Sequence, residues 1–248
     1  MNLLQQIKDF IRGRLLGFGI SVTRVCTSNN AEAITLTLLK RSKANLVIDV
    51  GAHKGEFALS VMRASNELSV FSYEPLPDVF MRLSQKAKWF TKWKVHNLAL
   101  GSTSGKAYIN VSENRTASSL LQPSGTGLRH AGFETIQRVP IQIQRLDYVL
   151  RDDPCLDDYH IYLKLDVQGF ELSVLEGTGN VLDRVVACQV ELSLTELYEN
   201  QASAYTVYSW LIQRGFLLYA VTNTLRDDRT GALQQIDGFF IRNFDLKA

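Results

Sequence analysis

Val47-Ile48-Asp49-Val50-Gly51-Ala52-His53-Lys54-Gly55 is the stretch on which the fold turns. Leu46 to Val50 is apolar except for Asp49, the pattern of a strand buried on both faces of a parallel sheet. Gly51 and Gly55 break it into a turn, and Glu56-Phe57-Ala58-Leu59-Ser60-Val61-Met62 has helical spacing. A second apolar run, Leu68 to Tyr73, ends on Glu74. Strand, glycine turn, helix and a second strand closed by a carboxylate make half of a nucleotide-binding α/β fold. Gly51 lets the backbone approach a ligand with no Cβ in the way. The helix start presents free N–H groups to a polar group, and Glu74 can accept two hydrogen bonds from a ribose diol.

The missing glycines decide which nucleotide is expected. A dinucleotide turn is G-x-G-x-x-G, with the later glycines admitting a pyrophosphate. Here the spacing is D-x-G-x-x-x-G, and His53 stands where a diphosphate needs room. An acid with a single close glycine suits a nucleoside without phosphates, such as S-adenosylmethionine (SAM). NAD and a turn in which Gly51 serves backbone geometry alone are the other two readings.

With 248 residues, 46% hydrophobic and 21% charged, the chain is long enough for one large α/β domain. A net charge of +2 supplies no field for nucleic acid, so no nucleic-acid partner is expected. Cys26, Cys155 and Cys188 have neither paired nor metal-ligand spacing, which fits a reduced, cytoplasmic protein. No apolar run approaches the roughly 20 residues of a membrane span. Residues 1–45 are predicted as a helical extension and 46–248 as the main domain, with an insert over about 101–145. Leu3, Leu4, Ile7, Phe10, Ile11, Leu15 and Phe18 recur at helical spacing beside Lys8, Arg12 and Arg14. Residues 1–20 are therefore read as an accessory helix packed on the domain, or as a peripheral membrane contact.

Strands are expected at Leu46–Val50, Leu68–Glu74, Trp93–Leu100, Ile161–Asp166, Val185–Glu191, Phe216–Val221 and Ile236–Arg242, with helices between them. The last strand should be antiparallel, because only a hairpin-length link precedes it. Within the insert, Lys106–Val111 and Arg138–Gln144 alternate as half-exposed strands. Ser112 to Gln137 reads as a lid or substrate-binding segment.

Lys164 and Asp166 share one face of a buried strand and must be paired or face a cleft. A functional Asp166 holds the ammonium of the cofactor or a substrate hydroxyl. The structural alternatives pair Lys164 with Asp166 or with Glu191. Gln168-Gly169 is expected to open the following helix. Glu191 ends the next apolar run at the same edge. Proton removal from a hydroxyl nucleophile needs a positioned base, and Asp166, Glu191 and then His53 are the candidates. No third ligand accompanies the carboxylates, so no metal is expected. Ser118 and Ser119 can meet a cofactor carboxylate or a polyol.

Asp49-Val50-Gly51-Ala52, Phe71–Pro77, Leu98-Ala99-Leu100-Gly101, Ala117-Ser118-Ser119-Leu120, Leu163–Glu171, Val190–Ser193 and Gln235–Phe240 together resemble the FkbM family of SAM-dependent methyltransferases, in order, from about residue 46 to 242. The resemblance implies a class I methyltransferase fold: a Rossmann-like three-layer sandwich on a seven-stranded, mostly parallel sheet of order 3-2-1-4-5-7-6. It implies methyl transfer to an oxygen, commonly a hydroxyl of a sugar, glycolipid or related natural product. By position, Asp49, Gly51, Ala52 and Glu74 would form the cofactor site. Leu98 and Ala99 would lie by the adenine, and Ser119 and Asp166 would face the methionine end or the acceptor. The family's first loop usually carries Asn where this chain has His53. A non-catalytic SAM-binding module and an NAD-dependent oxidoreductase are the alternative functions.

Overall fold

A computed structural model of the chain describes residues 30–242. The amphipathic segment of residues 1–20 lies outside the described residues. Helix α1 (Ala31–Arg41) leads into β1 (Leu46–Val50), α2 (Glu56–Ala64), β2 (Ser69–Tyr73), α3 (Pro77–Ala87) and β3 (Trp93–His96). Strands β4 (Ala99–Leu100), β5 (Gly105–Ser112) and β6 (Thr135–Gln144) follow. Then come α4 (Leu146–Leu150), β7 (Ile161–Leu165), α5 (Glu171–Glu176) and β8 (Val185–Ser193). The described chain closes with α6 (Ala204–Gln213), β9 (Phe216–Arg226) and β10 (Leu233–Arg242). Helix starts sit where the sequence supplies caps. The Asn30 side chain accepts the Ala33 N–H at 2.8 Å, and Pro77 occupies the first turn of α3.

Seven strands form the main sheet in the order β3-β2-β1-β7-β8-β10-β9. All neighbours run parallel except β10, which is antiparallel to both β8 and β9. Chain numbering departs from a bare seven-strand count because β4, β5 and β6 leave to form a second sheet, β4-β6-β5. Three layers result. Helices α1, α2 and α3 bring Ile34, Leu38, Ala58, Val61 and Leu83 onto Val47 and Val70. Helices α4, α5 and α6 bring Leu146, Val174 and Leu211 onto Ile48, Leu163 and Val190. Period-two alternation sends adjacent residues of each strand into opposite cores.

One register position in this apolar sheet is polar across four strands: Ser72, Asp49, Lys164 and Gln189 are successive partners on β2, β1, β7 and β8. The Lys164 ammonium lies 3.5 Å from Asp49 Oδ1 and 3.3 Å from Asp166 Oδ2. Ser72 Oγ donates to Asp49 Oδ2 at 3.2 Å and accepts the Trp93 indole N–H at 2.9 Å. Thr35 of α1 donates to Gln189 Oε1 at 3.2 Å. Lys164 thus pairs with Asp166, as one reading had it, and also with Asp49. Glu191 is not its ion-pair partner.

Three expected boundaries are corrected. The third strand stops at His96 rather than running to Leu100, because the Asn97 amide turns back to donate to the Glu74 and Pro75 carbonyls, each at 2.9 Å. Ala99 and Leu100 then pair with β6 instead. Gln168-Gly169 does not open a helix. Both residues are left-handed (φ 56° and 93°), and α5 begins at Glu171. Buried Glu171 accepts the Val167 and Gly169 N–H groups at 3.0 and 3.2 Å, which holds that turn. Strand β9 runs on to Arg226, and the Asp227 carboxylate closes the hairpin by accepting the Arg229 and Thr230 N–H groups.

Lys164→Met leaves Asp49 and Asp166 without their cation. Breaking a buried pair on one side typically costs about 3–5 kcal/mol. The expected result is a lowered urea midpoint with an unchanged slope, and an unchanged midpoint would show that the ammonium does not stabilise the sheet.

Candidate active site

A cavity of about 400 Å³ opens at the carboxyl ends of β1, β2, β7 and β8. That is the size of a small-ligand pocket, at the point where strand order reverses between β1 and β7. Strand order lays out its polar groups. Glu74 stands over β2, Gly51 over β1, Asp166 over β7, Glu191 over β8 and Asp237 over β10. With strands about 4.8 Å apart, the row spans about 19 Å.

At the β2 end, both Glu74 oxygens are engaged by backbone: Oε2 accepts the His53 N–H at 2.9 Å and Oε1 the Leu76 N–H at 2.8 Å. Each oxygen keeps a lone pair for a further donor. Burial pushes this carboxyl up to about 7, against the pull of those two N–H groups. Leu98 and Ala99 line the same end. Gly51, with φ 76°, lies so close to the β7 turn that a Cβ there would sit 1.9 Å from the Asp166 carbonyl oxygen. His53 lines the cavity in a left-handed conformation (φ 48°), and its buried Nε2 has no hydrogen-bond partner among the described residues. Burial and then the charge of Lys54 lower its pKa, which favours the neutral ring.

At the other end, one amide organises the carboxylates. Gln168 Nε2 donates to Asp166 Oδ1 and to Glu191 Oε2, both at 2.9 Å, and its Oε1 lies 2.9 Å from the Tyr198 hydroxyl. Gln235 Nε2 gives Glu191 Oε2 a further hydrogen bond at 2.9 Å. Burial, reinforced by the charge of Asp166, raises the Glu191 carboxyl well above the usual range. Asp237 is the register partner of Glu191 on β10. Its carboxyl is pushed up to about 6 by burial first and Asp166 second. Among the described residues no group of three His, Cys, Asp or Glu side chains is disposed to hold a metal ion.

The roof comes from the insert. Ala117 O lies 2.9 Å from the Tyr198 hydroxyl, and Ser124 N–H and Oγ bond the Leu197 and Glu196 carbonyls at 2.8 and 2.6 Å. Gly127 lies so close to that loop that a Cβ would sit 2.2 Å from the Leu197 carbonyl oxygen. The segment expected as a lid is therefore a pinned roof.

The structure brings Gly51, His53, Glu74, Leu98, Ala99, Ser119, Asp166 and Glu191 to the cavity wall. Asp49 and Ala52 are corrected: neither lines the cavity. Asp49 is fully buried in the polar register row, because period-two alternation turns it beneath the sheet, and Ala52 packs in the α1–α3 core. Ser118 and Ser119 both line the cavity and have structural bonds besides. Ser119 Oγ donates to the Gln168 carbonyl at 2.7 Å, and Ser118 Oγ accepts the Ser112 N–H at 3.1 Å, so both hold the insert to the domain. Gln168, Asp237, Tyr198 and Gln235 carry no role in the sequence reading. A Gln before Gly in a K-x-D-x-Q-G-x-E run and a lone Asp in an apolar final strand are the available signals.

The model of the FkbM methyltransferase domain matches residues 49–218, more than half of the chain. The methyltransferase sdnD of Sordaria araneosa is 28% identical over 154 residues, covering 53% of this chain and 59% of that protein. The crystal structure of methyltransferase FkbM from Methylobacillus flagellatus KT superposes with a TM-score of 0.51 at 14% identity. It covers 79% of this chain and 43% of that one. The chain thus spans about half the length of these relatives, and the structural likeness concerns the fold. The extent of the family match, together with the glycine turn, the β2-end acid and the K-x-D-x-Q-G-x-E strand, establishes that the chain belongs to the FkbM family of SAM-dependent methyltransferases.

Proposed function

We propose that the protein transfers a methyl group from SAM to a hydroxyl of a sugar, glycolipid or related natural product. One observation carries the reading. One cavity holds a carboxylate at one end, Glu74, and further carboxyls at the other, Glu191 and Asp237, a layout that supports a ribose at the first and an acceptor hydroxyl at the second.

The residues fit the cofactor. Gly51 lets the β1 and β7 turns meet at the cavity wall, Glu74 retains two lone pairs for a diol, and Leu98 with Ala99 offers an apolar wall for a base. Asp166, half-exposed and ion-paired to Lys164, would hold the ammonium of the methionine moiety. When bound, SAM supplies an electrophilic sulfonium methyl. The chain's contribution is alignment of the acceptor oxygen, with removal of its proton second. Asp237 suits that second task. The Asp166 oxygens are held by Lys164 and Gln168, and Glu191 takes two amide donors on one oxygen. Asp237 has no ion-pair partner among the described residues, and an acid near 6 is ionised at neutral pH yet basic enough to accept a proton. Gln168 positions Asp166 and Glu191.

Replacing Glu74 with Ala should weaken S-adenosylhomocysteine binding by about ten- to a hundredfold, the worth of charge-assisted hydrogen bonds. Unchanged calorimetric affinity would displace the ribose from Glu74. The hydroxyls of a diol donate to the ionised carboxylate. Affinity should therefore be constant above pH 7 and fall by up to about tenfold per unit below it. Glu74→Gln, which does not titrate, should flatten that profile.

For Asp237→Asn, with labelled SAM and a panel of sugar acceptors, turnover should drop by about a hundred- to ten-thousandfold. S-adenosylhomocysteine affinity should stay at the wild-type value. Full turnover would remove Asp237 from proton transfer, and no labelled product from any acceptor with the unaltered chain would favour a SAM-binding module.

A further inference from the structure

Outside the cavity, the outer side of α3 and the turn into β3 carry a surface that the proposed methyl transfer does not use. From Val79 to Val95 the chain has Arg82, Lys86, Lys88, Lys92 and Lys94 and not one Asp or Glu. The whole chain is only +2, so the rest of it is net acidic. Lys86 is spent on Glu56, at 3.5 Å. Arg82, Lys88 and Lys92 have no carboxylate partner among the described residues, although Lys92 donates to the Glu67 carbonyl at 3.1 Å, and Lys94 points to the other side of the sheet, over the Phe71 ring at 4.7 Å.

Large apolar side chains stand among these cations. Trp89 is 87% exposed and Met81 60% exposed. Met81, Gln85 and Trp89 follow one another at four-residue intervals along the outer side of the helix and its terminal turn. Trp89 is held out rigidly. Its N–H and that of Phe90 close the turn on the Lys86 and Ala87 carbonyls, and Phe90 packs edge-on against buried Trp93 with ring centroids 5.7 Å apart. Lysines on β3 have an ordinary use, guarding the edge of a sheet against pairing with another chain. That use accounts for Lys92 and Lys94. It does not account for Arg82, Lys88, or an indole and a thioether left in water.

We propose that this face, with Met81, Arg82, Lys88, Trp89 and Lys92, docks on an anionic phospholipid bilayer. Indole rings settle at the headgroup level, and lysine stems lie along the apolar boundary while their ammonium groups reach the phosphates. A nucleic acid would meet the charges too. Strand-binding surfaces, however, combine a basic groove with several stacking rings, whereas this face exposes a single large aromatic ring beside a methionine. Docking sets the cavity close to the lipid. Leu76, which precedes α3, lines the cavity, and the 11-residue helix is about 16 Å long. A helix lying along the bilayer therefore keeps the cavity rim within that distance of the surface. This consequence for a lipid-borne acceptor rests on the proposed function, but the docking itself does not.

The test is co-sedimentation of the full chain with vesicles of phosphatidylcholine alone and of equal parts phosphatidylcholine and phosphatidylglycerol. Binding is expected only to the anionic vesicles and should be lost in high salt. Lys88→Ala with Lys92→Ala should weaken it by about thirtyfold, about fivefold per lysine. Trp89→Ala should abolish quenching of tryptophan emission by brominated lipid. Both variants are at exposed positions and should keep the wild-type thermal shift with S-adenosylhomocysteine. Vesicle binding that survives these substitutions would overturn the proposal and assign the contact to another segment, such as residues 1–20. Absence of vesicle binding, or binding to a single-stranded oligonucleotide in its place, would overturn it as well. Failure to find a methyl acceptor would leave each of these outcomes readable.

Discussion

One ammonium group between two carboxylates ties the sheet to the cavity. Lys164 comes up from β7, the strand beside β1, and meets Asp49 beneath the sheet and Asp166 at its rim. Desolvation opposes the charge of a buried lysine, and two nearby carboxylates more than offset it, which keeps the ammonium protonated. Because the pair bridges the strands where order reverses, anything that shifts Lys164 also shifts the turn bearing Asp166. The ammonium additionally lies 3.4 Å from the carbonyl of Gly51, which lines the cavity. Fold stability and cavity shape therefore depend on the same few atoms.

The turn after β7 spreads this constraint to the Glu191 end of the cavity. A left-handed Gln168 is costly for a residue with a Cβ. Buried Glu171 stabilises that conformation by capping the turn N–H groups, and Ser119 does so by donating to the Gln168 carbonyl. In return, the Gln168 side chain reaches Asp166, Glu191 and Tyr198 together. The insert, the β7 turn and the loop after β8 thereby form one hydrogen-bonded unit around the carboxylates. Several carboxyls in one low-dielectric pocket raise each other's pKa. For Asp237, over the strand beyond Glu191, burial comes first and the charge of Asp166 second in raising its carboxyl.

Much of the architecture was legible because it follows from local spacing. Apolar runs of about five residues separated by helical stretches demand a parallel sheet. The acids at positions 74, 166 and 191 close three of those runs and do line the cavity. Where the reading departed from the structure, a contact distant in sequence had intervened. Asn97 cut the third strand short by reaching the Glu74 and Pro75 carbonyls. Asp49 reads as a ligand residue from its place beside Gly51, yet alternation turns it down onto Lys164, 115 residues later in the chain. Ser118 and Ser119 look free in a polar loop, but β5 and the β7 turn claim them.

By itself the sequence determined the class of the fold, the strand-end positions of the acids and the family to which they point. Those are consequences of periodicity and of a few residues whose chemistry depends on their neighbours in the chain. Tertiary structure alone decided which side of the sheet each acid faces, which carboxylates share one amide, and that Asp237 joins them. It also decided that Trp89 stands in solvent among cations while Trp93, four residues on, is buried. The physical reason is that pairing register and packing, set by residues tens to hundreds of positions apart, determine burial and hence charge. No window of sequence contains that information.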